Sequence, residues 1–114
     1  MKNMTAVFLV LSLLATTATA QFTGPSATGR TTTVAEAGKA RLGSYITVTG
    51  HIVAHQREDY FTFRDKTSEI RVEIENSVWQ YRKIGPETTV RLLAEVDQGT
   101  GGRYLWVKSL EVVQ

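Results

Sequence analysis

The sequence has 114 residues, with 13 Lys and Arg against 11 Asp and Glu, no cysteine and 42% hydrophobic residues. That length holds one domain rather than two, and the absence of cysteine excludes a disulfide framework and thiol chemistry. A net charge of +2 argues against a dedicated polyanion binder, whose Lys and Arg would be clustered and in clear excess.

Residues 1–20 read as a cleavable signal peptide. Lys2 supplies the positive start, Ala6 to Ala15 a short apolar core, and Ala18-Thr19-Ala20 the small-residue cleavage signature. The apolar run is about ten residues, half of the roughly twenty that a membrane span needs. No Cys follows Ala20, so no lipid anchor is expected, and the mature chain is expected to start at Gln21. Taking 20 residues from 114, Lys2 among them, leaves 94, with 12 basic side chains against 11 acidic. An exported domain of this size without disulfides must be held by its core alone, which favours a closed β-structure; in a Gram-negative cell the compartment is the periplasm.

Gln21 to Thr32, rich in Gly, Pro, Ser and Thr, reads as a flexible leader in which Phe22 is the only large apolar group. The domain then occupies residues 33–114. Thr33 with Glu36 three residues later matches a capping box, and Val34, Ala37 and Arg41/Leu42 fall at helical spacing, which predicts a short helix ending near Gly43 and able to plug one end of a barrel.

Three antiparallel strands follow. The first, Tyr45 to Val53, is dense in β-branched residues and interrupted by Gly50, read as a bend or bulge. His55 to Glu58 is read as a polar turn. Asp59 to Arg64 forms the second strand, and Glu69 to Glu75 the third, with Ile70, Val72 and Ile74 alternating against Arg71, Glu73 and Glu75. Asn76 or Ser77 then serves as the expected N-cap of a short helix with Trp79 as its buried anchor, and Gly85-Pro86 breaks the chain. Thr88 to Val96 makes the fourth strand, with Val90, Leu92, Ala94 and Val96 on one side and Leu93 facing outward. Residues 97–103 read as a Gly-rich loop. Tyr104 to Val113 makes the fifth strand, with Leu105, Val107, Leu110 and Val112 inward, Tyr104, Trp106 and Lys108 outward, and a bulge at Ser109. This order predicts an all-β fold: a five-stranded Greek-key barrel of the OB type, with one helix before strand one and another between strands three and four.

The leader Phe22-Thr23-Gly24-Pro25-Ser26, the helix entry Thr32-Thr33-Val34 with Glu36-Ala37, and Val48-Thr49-Gly50-His51-Ile52-Val53 carry a resemblance to a known family. So do Tyr60-Phe61-Thr62-Phe63-Arg64-Asp65, Val72-Glu73-Ile74-Glu75, Trp79 and Glu95-Val96-Asp97. The chain resembles the bacterial OB-fold (BOF) proteins, small periplasmic proteins implicated in stress tolerance, over nearly all of its mature length. It departs from them in a long Gly-rich loop, 98–102, and in extra basic residues. The resemblance implies an OB-fold without catalysis, associated with tolerance of oxidative stress, acid or cationic antimicrobial peptides. It also implies binding of a small ligand, a cell-wall component or an envelope protein rather than nucleic acid.

The candidate chemistry is that of a binding surface. By strand parity Tyr45, Tyr60, Arg71, Glu73, Tyr104 and Trp106 lie outside the barrel, and Arg103 with the Gly-rich loop forms a lip of the groove. Aromatics with mixed charges suit sugar stacking, peptide binding or protein contact, and they also resemble a base-stacking platform, against which charge balance and export count. Packing of these rings on the leader or the short helix is the competing reading. No catalytic residue, cofactor or metal is expected. His51 and His55, four apart on a strand, are roughly 13 Å apart, too far for one metal, and Glu73 and Glu75, roughly 7 Å apart, are read as solvated carboxylates rather than a glycosidase pair. Residues 99–102 lack the Lys-Ser/Thr pair of a phosphate cradle.

The expected function is therefore non-catalytic periplasmic binding of a small molecule or cell-wall glycan through the face of strands two and three, in support of envelope stress tolerance. The alternative is an adaptor that docks on an outer-membrane or periplasmic protein through Phe22 and an exposed strand edge. Single-stranded nucleic acid ranks below both.

Overall fold

A computed structural model describes residues 29–113; the expected signal segment with its cleavage site, Phe22 and the rest of the leader up to residue 28 lie outside the described residues. The elements in chain order are β1 (Arg30–Thr31), α1 (Val34–Ala37), β2 (Tyr45–Arg57), β3 (Tyr60–Arg64), β4 (Glu69–Glu73), α2 (Asn76–Trp79), β5 (Val90–Gly99) and β6 (Gly102–Val112). Strands β2 to β6 form a closed barrel: the sheet runs β1-β2-β3-β4-β6-β5 and closes where β5 pairs back onto β2. Among the described residues no helix is long and apolar enough to cross a membrane.

Closure depends on β2, which is 13 residues long and serves two neighbours in turn. Tyr45 to Gly50 pair with β5, and His51 to Arg57 pair with β3. Gly50 stands at the exchange, where a Cβ would overlap the carbonyl of Arg64, so the residue is small because two backbones cross there. Gly50, read as a bend or bulge, is where the strand changes partners, and the bulges fall further on, between Ile52 and Ala54 and between His55 and Arg57. They add twist to the strand that must wrap the barrel. The polar His55 to Arg57 stretch is strand rather than turn; only Glu58 and Asp59 turn, with Glu58 at φ 49.

The apolar alternation of the sequence is the core. Ile46, Val48, Phe63, Val72, Ile74, Val90, Leu92, Ala94, Val96, Leu105 and Val107 are essentially inaccessible, and Val34, Ala37 and Ala40 join them from α1 and the turn after it. Val112, expected inward, is 44% exposed, because it pairs with Val90 on the last rung of the β5–β6 ladder and has no layer beyond it. The expected bulge near Ser109 is present: Leu93 pairs with Ser109 and Ala94 with Val107, which leaves Lys108 as the extra residue.

The Gly-rich stretch is not a long loop. β5 and β6 pair as far as Gly99 and Gly102, leaving only Thr100 and Gly101 as the turn. Arg30 and Thr31, read as leader, form a parallel two-residue strand on Ile46 and Thr47.

α1 is shorter than its spacing suggested, ending at Ala37 with Gly38 as its C-cap. Its first three amides are nevertheless all engaged. Val34 N–H donates to Asp65 Oδ2 at 2.9 Å, Ala35 N–H to Thr67 Oγ1 at 3.0 Å, and Glu36 N–H to Thr33 Oγ1 at 3.2 Å. The β3–β4 hairpin thus supplies two of the caps that a helix start requires. At the other end of the barrel the N-cap of α2 is Glu75, not Asn76 or Ser77, and its side chain makes no cap bond. Trp79 is half-buried rather than a deep anchor and meets Phe61 edge-on, with centroids 5.2 Å apart.

Candidate functional site: an aromatic and carboxylate row on the barrel wall

Strand register sets the site. Tyr60 of β3 lies opposite Glu73 of β4, Glu73 opposite Trp106 of β6, Trp106 opposite Glu95 of β5, and Glu95 opposite Tyr45 of β2. Glu73, Trp106, Glu95 and Tyr45 each neighbour a buried core residue in their own strand, and Tyr60 neighbours Phe61, which packs half-buried against the core, so all five face out. One rung of the barrel wall thus alternates aromatic, acid, aromatic, acid, aromatic across all five strands.

Beside this rung, Arg71 is held between two tyrosines. Its guanidinium carbon lies 5.1 Å from the ring centroids of both Tyr60 and Tyr104, and the two rings meet edge to face at 6.0 Å. Both contacts are within cation–π range. Arg71 Nη2 also donates a long 3.5 Å bond to the Gly102 carbonyl, while its Nε is buried without a hydrogen-bond partner. A Cβ on Gly101 would overlap the Arg71 guanidinium, so the missing side chain in the β5–β6 turn makes room for it. Arg57 approaches the Tyr60 ring at 5.4 Å. Lys108 Nζ sits 3.2 Å over the Trp106 ring and 3.9 Å from Glu95.

The carboxylates set the electrostatics. Burial, then the charges of Glu75, Asp59 and Asp97, push the Glu73 carboxyl above its ordinary value, with Arg71 opposing. Burial also raises the Tyr104 hydroxyl, followed by Asp97 and Glu73, and that hydroxyl donates to Asp97 Oδ2 at 3.4 Å. Glu73, Glu75, Asp59 and Asp97 outnumber the cations Arg71 and Arg57 beside them.

Of the residues expected at the site, Tyr60, Arg71, Glu73, Tyr104 and Trp106 come together on one wall. Tyr45 stands at the far end of the rung, beyond Trp106 and Glu95, beside Arg30, Arg41 and Ser44. Arg103 is not a lip of this wall. It has the parity of Leu105 and donates to the carbonyl of Ala40, bracing the turn after α1. Sequence reasoning did not single out Lys108, Asp97 or Arg57. Lys108 stands two residues beyond Trp106, the strand spacing that shares a face; alternation places it outward with Tyr104 and Trp106 but does not mark it as a member of the site.

The two histidines serve separate local contacts: His51 Nδ1 meets the Thr88 carbonyl at 3.1 Å, and His55 Nε2 meets the Glu58 carbonyl at 2.8 Å with its ring on Phe61.

Residues 14–112 match the family described as bacterial OB fold (BOF) protein. The chain is 37% identical over 98 residues to the calcium-regulated OB-fold protein CarO of Pseudomonas aeruginosa, covering 86% of this chain and 84% of that one. It is 30% identical to protein YgiW of Escherichia coli K12, covering 99% of this chain and 98% of that one. The solved structure of the E. coli ygiW protein superposes with a TM-score of 0.71 at 33% identity, over 81% of this chain and 97% of that one. The second OB-fold domain of replication protein A from Methanococcus maripaludis shares the fold alone, with a TM-score of 0.58 at 15% identity, over 75% of this chain and 96% of that one. With the five-stranded barrel, its two short helices and a family match over most of the sequence, this chain belongs to the bacterial OB fold (BOF) family.

Proposed function

We propose that the chain is a non-catalytic, exported binding module that holds a small ligand or cell-wall glycan on the outer wall of β3, β4 and β6, in support of envelope stress tolerance. The observation that carries this reading is Arg71 set between Tyr60 and Tyr104 with a buried, unengaged Nε. Rings of this kind stack on the apolar face of a pyranose, and a guanidinium is suited to bidentate capture of a carboxylate. Peptidoglycan fragments offer both, as sugars that bear carboxylated peptides. Arg71 is held by two ring contacts and one 3.5 Å bond, so it can turn toward a ligand at small cost. Glu73, its carboxyl raised by burial and neighbouring acids, adds a hydrogen-bonding group for sugar hydroxyls. The surrounding carboxylates disfavour single-stranded nucleic acid.

Titrating soluble peptidoglycan fragments into the chain while recording amide shifts tests the reading, with a short oligothymidine as control. Saturable shifts at Tyr60, Arg71, Glu73 and residues 98–103 with the glycan alone are expected, and Tyr60→Ala weakens binding by about tenfold or more, or 1.4 kcal/mol. Shifts with neither ligand would refute it, and binding of oligothymidine that falls steeply with salt would replace it with nucleic-acid recognition.

A further inference from the structure

A second set of unengaged polar groups converges away from the aromatic wall, where β2 exchanges β5 for β3. β3 stops at Arg64 and β5 starts at Val90, so the exchange leaves a cleft of about 600 Å³ between β1 and the β3–β4 hairpin. Its walls are Thr31 to Thr33 on one side and Arg64 to Thr67 on the other, with Thr49, Gly50 and His51 as the floor and Thr89 at the end.

The lining divides into groups already committed and groups left over. Asp65, the one carboxylate among the lining residues, accepts from the amides of Val34, Thr67 and Ser68 and from the Thr67 hydroxyl. Arg64 is paired with Glu69. Thr33 and Thr67 cap α1. Among the described residues, the hydroxyls of Thr31, Thr32, Thr49 and Thr89 and the ammonium of Lys66 have no hydrogen-bond or ion-pair partner. His51 is turned so that Nδ1 meets the Thr88 carbonyl, which leaves Nε2 as its second polar atom. The free inventory is therefore four hydroxyls that both donate and accept, one imidazole nitrogen and one cation, with no free anion to balance it. Threonine methyls between them give the cleft apolar surface of the kind that small-ligand sites use.

The geometry points to this cleft as a binding site for a small hydroxylated anion, a monosaccharide carrying a carboxylate or a phosphate. The hydroxyl array meets the sugar hydroxyls, and Lys66 meets the acidic group. The site is independent of the aromatic wall: it shares no residue with Tyr60, Arg71, Glu73, Tyr104 or Trp106.

Glucuronate and glucose 6-phosphate are titrated separately into the full chain, with glucose and sulfate as controls, and amide shifts are followed. Saturable shifts centred on Thr49, Gly50, His51 and residues 64–67 are expected with at least one acidic sugar, and the stronger of the two identifies carboxylate or phosphate as the preferred acid. Lys66→Ala and Thr49→Val each weaken that binding by about fivefold or more while Tyr60→Ala leaves it unchanged. Both positions are exposed, and the unperturbed amide spectrum of each variant establishes that it is folded. Absence of saturable shifts with both acidic sugars, equal shifts with sulfate, or shifts confined to the Tyr60 wall would each overturn the proposal. The last would leave the peptidoglycan reading standing, and loss of the peptidoglycan shifts alone would leave this one standing.

Discussion

At the α1 end of the barrel Asp65 accepts four hydrogen bonds and every amide of the first helical turn has a partner. On the wall of β3, β4 and β6, by contrast, Arg71 keeps a buried Nε without one, and burial, followed by the neighbouring acids, raises Glu73. The two regions use the same residue types, carboxylates and long cations. They differ in where the partners come from. Around α1 the partners are backbone amides, fixed by the fold; on the wall they are ring faces and other charges, which a bound molecule can replace. A fold can complete its hydrogen bonds where it needs only stability and leave them incomplete where it meets a ligand.

The sharpest way to break this contrast is to remove Asp65. Asp65→Ala is expected to cost about 1 to 2 kcal/mol, the magnitude of a lost helix cap, and to lower the melting temperature by several degrees, on the order of 5 °C. Binding at the Tyr60 wall stays unchanged. Thermal denaturation and the peptidoglycan titration on one sample measure both, and a melting temperature equal to that of the parent would remove the structural role given to this carboxylate.

Gly101→Ala works in the other region. The added methyl displaces the Arg71 guanidinium from between the tyrosines, and Gly101 is not among the glycines at positive φ, so the backbone accepts alanine. Stability should change by less than about 1 kcal/mol, while peptidoglycan affinity changes severalfold. Unchanged affinity would mean that the position of Arg71 between the rings is immaterial.

The smallest effect is in pH dependence, and here the two carboxylates oppose each other. Burial pushes Asp65 up, but its hydrogen bonds from Thr67, Val34 and Ser68 outweigh that and hold it below the ordinary 3.8. Its contribution is therefore present above pH 3.8 and lost as pH falls through that value toward the lower folded one. Glu73 is raised above 4.5 by burial and by Glu75, Asp59 and Asp97, so its contribution is present below 4.5 and lost as pH rises from there through the folded value. Glu73→Gln should accordingly stabilise the chain at neutral pH by roughly a few tenths of a kcal/mol, the scale of partly solvated charges, and the gain should shrink in acid. Melting curves for the variant between about pH 3 and 7 test the sign; a variant less stable at pH 7 would show that Glu73 is a net favourable partner of Arg71.

The barrel was legible because its core is written as period-two alternation. Val90 to Val96 and Leu105 to Val107 can be read only one way, and Thr33 with Glu36 located the start of α1. The failures have physical causes. Arg103 was grouped with the Gly-rich segment, although its parity with Leu105 places it on the inner side of β6. Val112 has core parity but lies on the rim, and depth along a barrel axis leaves no mark on alternation. β1 is two polar residues held by a neighbour's backbone, which no side-chain pattern announces. Of the site, exposure could be inferred residue by residue. The placing of Arg71 between Tyr60 and Tyr104 could not, because it depends on the parallel pairing of β4 with β6, a contact between segments more than thirty residues apart.

The divided pairing of β2 also bears on how the molecule assembles. Its second half meets β3 across a two-residue turn, a contact formed by local diffusion. Its first half must wait for β5, with Gly50 and Val90 separated by 40 residues, and bringing those ends together costs about 3 kcal/mol of chain entropy before any contact rewards it. The β2–β3–β4 meander thus closes at lower entropic cost than the β2–β5 seam, which favours its forming first. During that interval the β5-facing edge of Tyr45 to Gly50 is open to pairing by a second chain, because β1 covers only the opposite edge of this segment, at Ile46 and Thr47.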